Sequence, residues 1–135
     1  MLLVTVRGES MAPALHEGDR VLVVKHWPLR RGAIVAVRLA PAPGEEPWLW
    51  VKRAIALEGQ QARVPRAHLH PDAAPERSGG RADGDDVVWD VPKGHVFVRG
   101  DAPSSADSAT WGPVPRAAIV GVMVRRLAGS PTPAG

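Results

Sequence analysis

Val6-Arg7-Gly8-Glu9-Ser10-Met11-Ala12-Pro13-Ala14-Leu15-His16-Glu17-Gly18-Asp19-Arg20 is a polar, turn-rich stretch held between two apolar runs at 2–4 and 21–24. It reads as the end of a strand, a sharp turn, a short irregular segment, a Gly-Asp turn and the start of a second strand. Gly8 allows a bend that a side chain would oppose, and Pro13 fixes the chain while removing a donor. A serine at such a bend holds its hydroxyl outward instead of burying it in a sheet. Most turn serines only shape their turn, so any larger role for Ser10 depends on what the remaining chain brings to it.

Working outward, residues 2–6 and 21–24 read as short strands rich in branched side chains. Residues 33–38 form a third, after turns at Trp27-Pro28 and Arg31-Gly32. The stretch 41–47 carries three prolines and a glycine, so no helix crosses it. Residues 48–57 then form a long strand. If they alternate, Trp50, Lys52, Ala54 and Ala56 share one face, and Val51, Arg53 and Ile55 the other. Two more strands are expected at 87–89 and 95–98, around Pro92-Lys93-Gly94. The last is expected at 117–127, with Gly121 as a candidate bulge. Residues 65–86 and 100–110 read as long polar surface loops, and 128–135 as a frayed tail. Without an amphipathic helix or a repeat, the expectation is a single all-β domain over 1–127, its short antiparallel strands curled into a barrel-like sheet with long polar loops.

Fourteen prolines and 14 glycines in 135 residues agree with many turns and short strands. There is no cysteine, which excludes a disulfide framework, a thiolate nucleophile and cysteine-bound metal. The net charge is +3, but the arginines are scattered among acidic residues, so the basic balance reads as a solvated surface and not a nucleic-acid site. No apolar run approaches the roughly 18 residues that span a bilayer, and no basic and apolar leader of the secretory kind opens the stretch. The expectation is a cytoplasmic protein, with membrane association through a partner as the alternative.

Three lysines, Lys25, Lys52 and Lys93, stand against fourteen arginines. A guanidinium effectively never loses its proton, whereas a desolvated ammonium can, so a lysine kept in an arginine-rich chain marks a candidate base. Lys52 has the most apolar neighbours, Trp48 to Val51 and Ile55, and burial there would lower its pKa toward the working range of a base. A strand lysine reaching to solvent is the alternative. The loop Gly100-Asp101-Ala102-Pro103-Ser104-Ser105-Ala106-Asp107-Ser108 is dense in hydroxyls and carboxylates, which orient an amine or merely cap turns. His68-x-His70 with Asp72 has loose metal spacing, but it reads as a solvent-exposed histidine pair and not as a metal site.

Together these stretches resemble the type I signal peptidase family of serine proteases. Val6-x-Gly8-x-Ser10-Met11-x-Pro13-x-Leu15-x-x-Gly18-Asp19 is similar to its nucleophile box, and Val51-Lys52-Arg53 with Gly59 to its lysine box. Gly100-Asp101, Ser105-Ala106-Asp107-Ser108 and Trp111-Gly112-x-Val114-Pro115 resemble its C-terminal box. The resemblance implies Ser10 as acyl-forming nucleophile and Lys52 as general base, a dyad needing no histidine and no cofactor. It further implies Ser105 as holder of the lysine amine, Asp107 as support for that loop, and the Ser10 amide as an oxyanion donor. Position Gly8 carries no second hydroxyl, and Met11 would line a shallow groove. A precursor polypeptide would lie there extended, adding a strand.

The stretch departs from that pattern at Ala109 and Ala102, where the family has arginine and asparagine. It also starts at the nucleophile box, without the family's membrane anchor. In this it resembles the small proteases that trim the leader of nickel-type superoxide dismutase, so the expected role is removal of such a leader. A signal peptidase acting on exported precursors and a non-catalytic module with the same fold are the alternatives. A self-cleaving repressor domain is not expected, because only nine residues precede Ser10.

Overall fold

The computed structural model describes residues 1–40, 44–46, 48–102 and 106–128. Among these residues, ten strands form two antiparallel sheets: β1 (Leu2–Thr5), β2 (Arg20–Val24), β3 (Ile34–Leu39), β4 (Trp48–Leu57), β5 (Gln61–Pro65), β6 (Arg81–Asp83), β7 (Asp86–Asp90), β8 (His95–Arg99), β9 (Val114–Pro115) and β10 (Ile119–Ala128). A seven-stranded sheet runs β1-β2-β10-β3-β4-β8-β9, and a three-stranded one runs β5-β7-β6. The expected all-β fold of short antiparallel strands is met; among the described residues the larger sheet ends at β1 and β9, so it is open and not closed, with a second, smaller sheet beside it.

Strand β3 shows why the large sheet has a core on both sides. Its first four residues are all buried, and the two-residue period of a strand divides them. Ile34 and Ala36 join Val4, Val6, Met11, Leu15, Val21 and Val23, whereas Val35 and Val37 join Val96, Val98, Val114 and Val122. Such a strand reads as an unbroken apolar run, as buried strands do. The third cluster, Ala62, Val64, Val87, Trp89, Val91 and Phe97 with Ala56 and Ala109, joins the small sheet to β4 and β8.

Gly121 meets its expectation. The pairing of β10 with β3 shifts between Ile119 and Gly121, and a side chain there would fall 2.7 Å from the Val24 carbonyl oxygen. Residues 65–86 do not. They hold β6, single helical turns at Arg66–His68 and Pro75–Arg77, and the end of β5. Here the Trp89 indole N–H donates to Ser78 Oγ at 3.0 Å, and Ser78 Oγ donates to the Pro75 carbonyl. A buried indole needs a partner for its N–H, so a polar segment is drawn onto the sheet by one tryptophan. Residues 100–110 likewise end in a helical turn, Ser108–Trp111, capped by the Asp107 carboxylate, which accepts from the Ala109 amide at 3.0 Å. The expected tail from 129 onward lies outside the described residues.

Candidate active site

Between β1 and β2 the chain makes the turns expected of it. Gly8 has φ of +74°, a conformation that suits glycine, and the Ala12 and Leu15 amides donate to the Glu9 and Met11 carbonyls. The loop closes at its base, where the Val6 and Gly18 amides donate to the Asp19 and Val6 carbonyls. Met11 and Leu15 anchor it from below, each 2% exposed or less. Met11 therefore belongs to the core and not to a groove wall, which corrects the expectation. The methionine stem fills the space under the turn, and this leaves its neighbour Ser10 half-buried at the surface.

Lys52 is in the middle of β4, opposite Val35 of β3, and is 1% exposed. Its Nζ donates to Ser10 Oγ at 3.2 Å, across 42 positions of sequence. Trp50 flanks the amine, with its ring centroid 5.5 Å from Nζ; it stacks on Trp48 and meets Trp111 edge-on. Burial lowers the Lys52 pKa from its ordinary value; the Asp107 carboxylate acts against this and the Arg99 guanidinium acts with it. Lys25 and Lys93 are both exposed. Of the three lysines, the one in apolar surroundings is the one that meets the serine.

The position of the pair is fixed by a closed ring of contacts. The Ser10 carbonyl accepts from the Ala102 amide at 2.8 Å. Asp101, just before it, takes both Nε and Nη2 of Arg53 at 2.8 Å each. Arg53 follows Lys52 on β4, and Lys52 returns to Ser10. A planar guanidinium with two parallel bonds to a carboxylate sets direction as well as distance, so the loop after β8 holds the serine turn against the lysine strand. Asp107 is fully buried: its carboxylate accepts from the Gly100 amide at 3.1 Å and from Arg99 Nε at 3.2 Å. The arginine that the resemblance implies is Ala109, and a guanidinium from β8 meets Asp107 in its absence. Ser105 lies outside the described residues.

In the sequence Arg53 and Asp101 stand only as members of the matching boxes, without a role of their own, and Arg99 does not stand out at all. The available signal was a charged residue at the end of an otherwise apolar strand, His95-Val96-Phe97-Val98-Arg99, and a second one directly after the lysine. Asp19, which closes the nucleophile box, is 2% exposed, accepts from the His16 amide at 2.9 Å and lies 3.7 Å from Arg126. His68 and His70 do not build a site. His70 Nδ1 accepts from the Asp72 amide, and no group of three or more acidic or histidine side chains among the described residues is placed to hold a metal ion.

A groove of about 700 Å³ leads to Ser10. One wall is β1 and its continuation, Leu3 to Ser10; the other is the start of β4, Trp48 to Val51. Strand β1 is the last strand of its sheet on that side, with β2 as its one strand partner among the described residues.

With fold and site described, the chain can be assigned. It belongs to the signal peptidase family, peptidase S26, whose model matches residues 1–128. Among individual relatives it is 32% identical over 126 residues to the mitochondrial ATP-independent inner membrane protease subunit 1b of Arabidopsis thaliana, covering 89% of this chain and 66% of that protein. It is 33% identical over 134 residues to signal peptidase I of Leptolyngbya laminosa, covering 90% and 66%. The crystal structure of a signal peptidase I from Enterococcus faecalis V583 aligns with a TM-score of 0.48 at 25% identity, over 73% of this chain and 98% of that one. The chain thus spans about two thirds of the length of the curated relatives it matches. The cytoplasmic location expected from the sequence does not stand against relatives named as inner membrane proteases and signal peptidases. It rested on the lack of a long apolar run, which describes this stretch and fixes no compartment. Among the described residues, no helix is long and apolar enough to cross a membrane.

Proposed function

We propose that this chain is the catalytic region of a serine endopeptidase that removes N-terminal leaders from precursor proteins, with Ser10 as nucleophile and Lys52 as general base. The observation that carries the reading is the 3.2 Å contact between a hydroxyl at a groove and an amine that is 1% exposed. A base must be unprotonated at working pH, and burial acts on Lys52 in that direction. Neutral Lys52 takes the Ser10 proton as Oγ attacks the scissile carbonyl. It then returns that proton to the leaving amine, and the acyl-enzyme is opened by water activated by the same lysine. The oxyanion is met by the Ser10 amide, with any second donor drawn from backbone.

The groove supports an extended substrate. A peptide beside β1 would pair with its open backbone edge while its side chains meet Leu3, Trp48 and Trp50. Nickel-type superoxide dismutase precursors and exported preproteins are the two substrate sets to offer. The test is incubation with both, reading the cut site by mass spectrometry. Ser10→Ala and Lys52→Ala are each expected to lower cleavage by about a thousandfold or more while the folded circular dichroism spectrum is kept. Near-normal turnover by Lys52→Ala would refute the assignment of the base.

A further inference from the structure

Strands β4 and β8 pair so that Arg53 stands directly opposite Arg99. Like charges facing each other across a sheet are unfavourable, and here each guanidinium is answered by its own carboxylate from the loop that follows β8. Arg53 takes Asp101, and Arg99 takes Asp107. The second pair is the more enclosed: the Arg99 side chain is 13% exposed and that of Asp107 is not exposed at all. Arg99 also donates from Nη2 to the His68 carbonyl at 3.1 Å. One guanidinium therefore joins β8, the helical turn Arg66–His68 and the loop behind the lysine.

We propose that Arg99 is a positioning residue for the Ser10–Lys52 pair, fixing the Asp107 carboxylate behind the lysine and offsetting its charge. The inference rests on the dyad reading above. Its physical basis is a conflict between packing and chemistry. A buried carboxylate close to Lys52 favours the ammonium, the form that cannot act as a base. A cation in contact with that carboxylate offsets part of the bias, and burial acts in the same direction. The charged groups facing the amine are Asp107 from the loop and Arg99 from β8. Arg53, next to it on β4, is engaged with Asp101, and Ser10 completes the surroundings from the β1–β2 turn. Arg99 bonds Asp107 and the His68 carbonyl, so it acts on the amine by charge, both directly and by offsetting Asp107.

The test is the pH profile of kcat/KM for wild type, Arg99→Met, Arg99→Lys, Asp107→Asn and the Arg99→Met/Asp107→Asn double variant, with Lys52→Ala alongside. Arg99→Met is expected to move the acid limb to higher pH, lowering kcat/KM at neutral pH about tenfold with KM little changed. Arg99→Lys, which keeps the cation, is expected to retain the wild-type limb. Asp107→Asn moves the limb to lower pH, and adding Arg99→Met moves it back up. That pair of variants reads the same effect even if Arg99→Met alone, with a cation removed from beside a buried carboxylate, does not fold. Profiles that superimpose with and without Arg99, in both backgrounds, would overturn the role of Arg99. If Lys52→Ala stayed active the dyad itself would fall, whereas an inactive Lys52→Ala with superimposable Arg99 profiles would remove only this inference.

Discussion

The seven-stranded sheet encloses charge, and the three-stranded sheet keeps its charge outside. Lys52, Asp19, Asp107 and Ser108 are the buried polar side chains recorded among the described residues, and all lie on the larger sheet or in its connecting loops. The smaller sheet has an apolar inner face of Ala62, Val64, Val87 and Trp89, while Arg63, Arg81, Asp83, Asp86 and Asp90 pair on its outside. Each arrangement is explained by what it costs. Burying a charged group is expensive unless it is paired and hydrogen-bonded, so a sheet selected only for stability would look like the smaller one. The larger sheet bears that cost at Lys52, the amine proposed as the base.

The largest expected effect on stability comes from the small sheet. Trp89 is fully buried, 5.0 Å from the Phe97 ring, and Gly80 is packed so closely that a side chain there would fall 2.7 Å from the indole. Trp89→Ala should cost about 3–5 kcal/mol, read from urea denaturation. Because the indole touches neither Ser10 nor Lys52, the fraction that stays folded in the cold should cleave at the wild-type rate. A folded but inactive Trp89→Ala would show that the two sheets are not separable in this way.

Lys52→Met should act in the opposite direction. The lysine pKa is lowered in the folded state, so between that value and the ordinary one the unfolded chain holds more protons, and wild-type stability rises with pH. Below the lowered value the full penalty of a buried ammonium is present. A methionine of similar shape removes it. The variant should be inactive and more stable at neutral pH by about 1 kcal/mol, with the advantage shrinking as pH rises toward the ordinary lysine range. Denaturation curves at several pH values check both sign and slope. A loss of stability at neutral pH would mean that the attraction to Asp107 outweighs desolvation.

The same contrast separates what the sequence discloses from what it hides. Strand β4 was legible to the residue, because apolar side chains, interrupted only by Lys52-Arg53, fill the chain between a proline-rich stretch and Glu58-Gly59. The lysine was legible because its neighbours are tryptophan, valine and isoleucine. Strands β5 and β6 were not. Gln61-Ala62-Arg63-Val64 buries only small residues on one face, and Arg81-Ala82-Asp83 buries none, so neither carries an apolar signature. They exist because β7 offers hydrogen bonds to both, a tertiary cause with no local mark. The ring through Asp101 and Arg53 was hidden for a related reason: it joins residues 48 positions apart by charge alone.

The smallest effect on stability is expected where the two regions look most alike, in an arginine with two bonds to aspartate. Arg63 bonds Asp83 at 2.6 Å and Asp86 at 3.1 Å, with its side chain about half exposed; Arg53 bonds Asp101 twice at 2.8 Å, with side chains 32% and 19% exposed. By geometry the first looks as strong as the second. Exposed pairs, however, are screened by salt and lose side-chain freedom on forming, so Arg63→Ala should leave both melting temperature and cleavage unchanged within error. Arg53→Ala should shift melting only slightly, yet lower kcat about tenfold, because the loop whose Ala102 amide holds the Ser10 carbonyl loses its tether. Raising the salt concentration should leave the Arg53 tether largely intact. If the two variants gave equal activities, the ring of contacts around Ser10 would have no part in placing it, and the distinction between the sheets would reduce to burial alone.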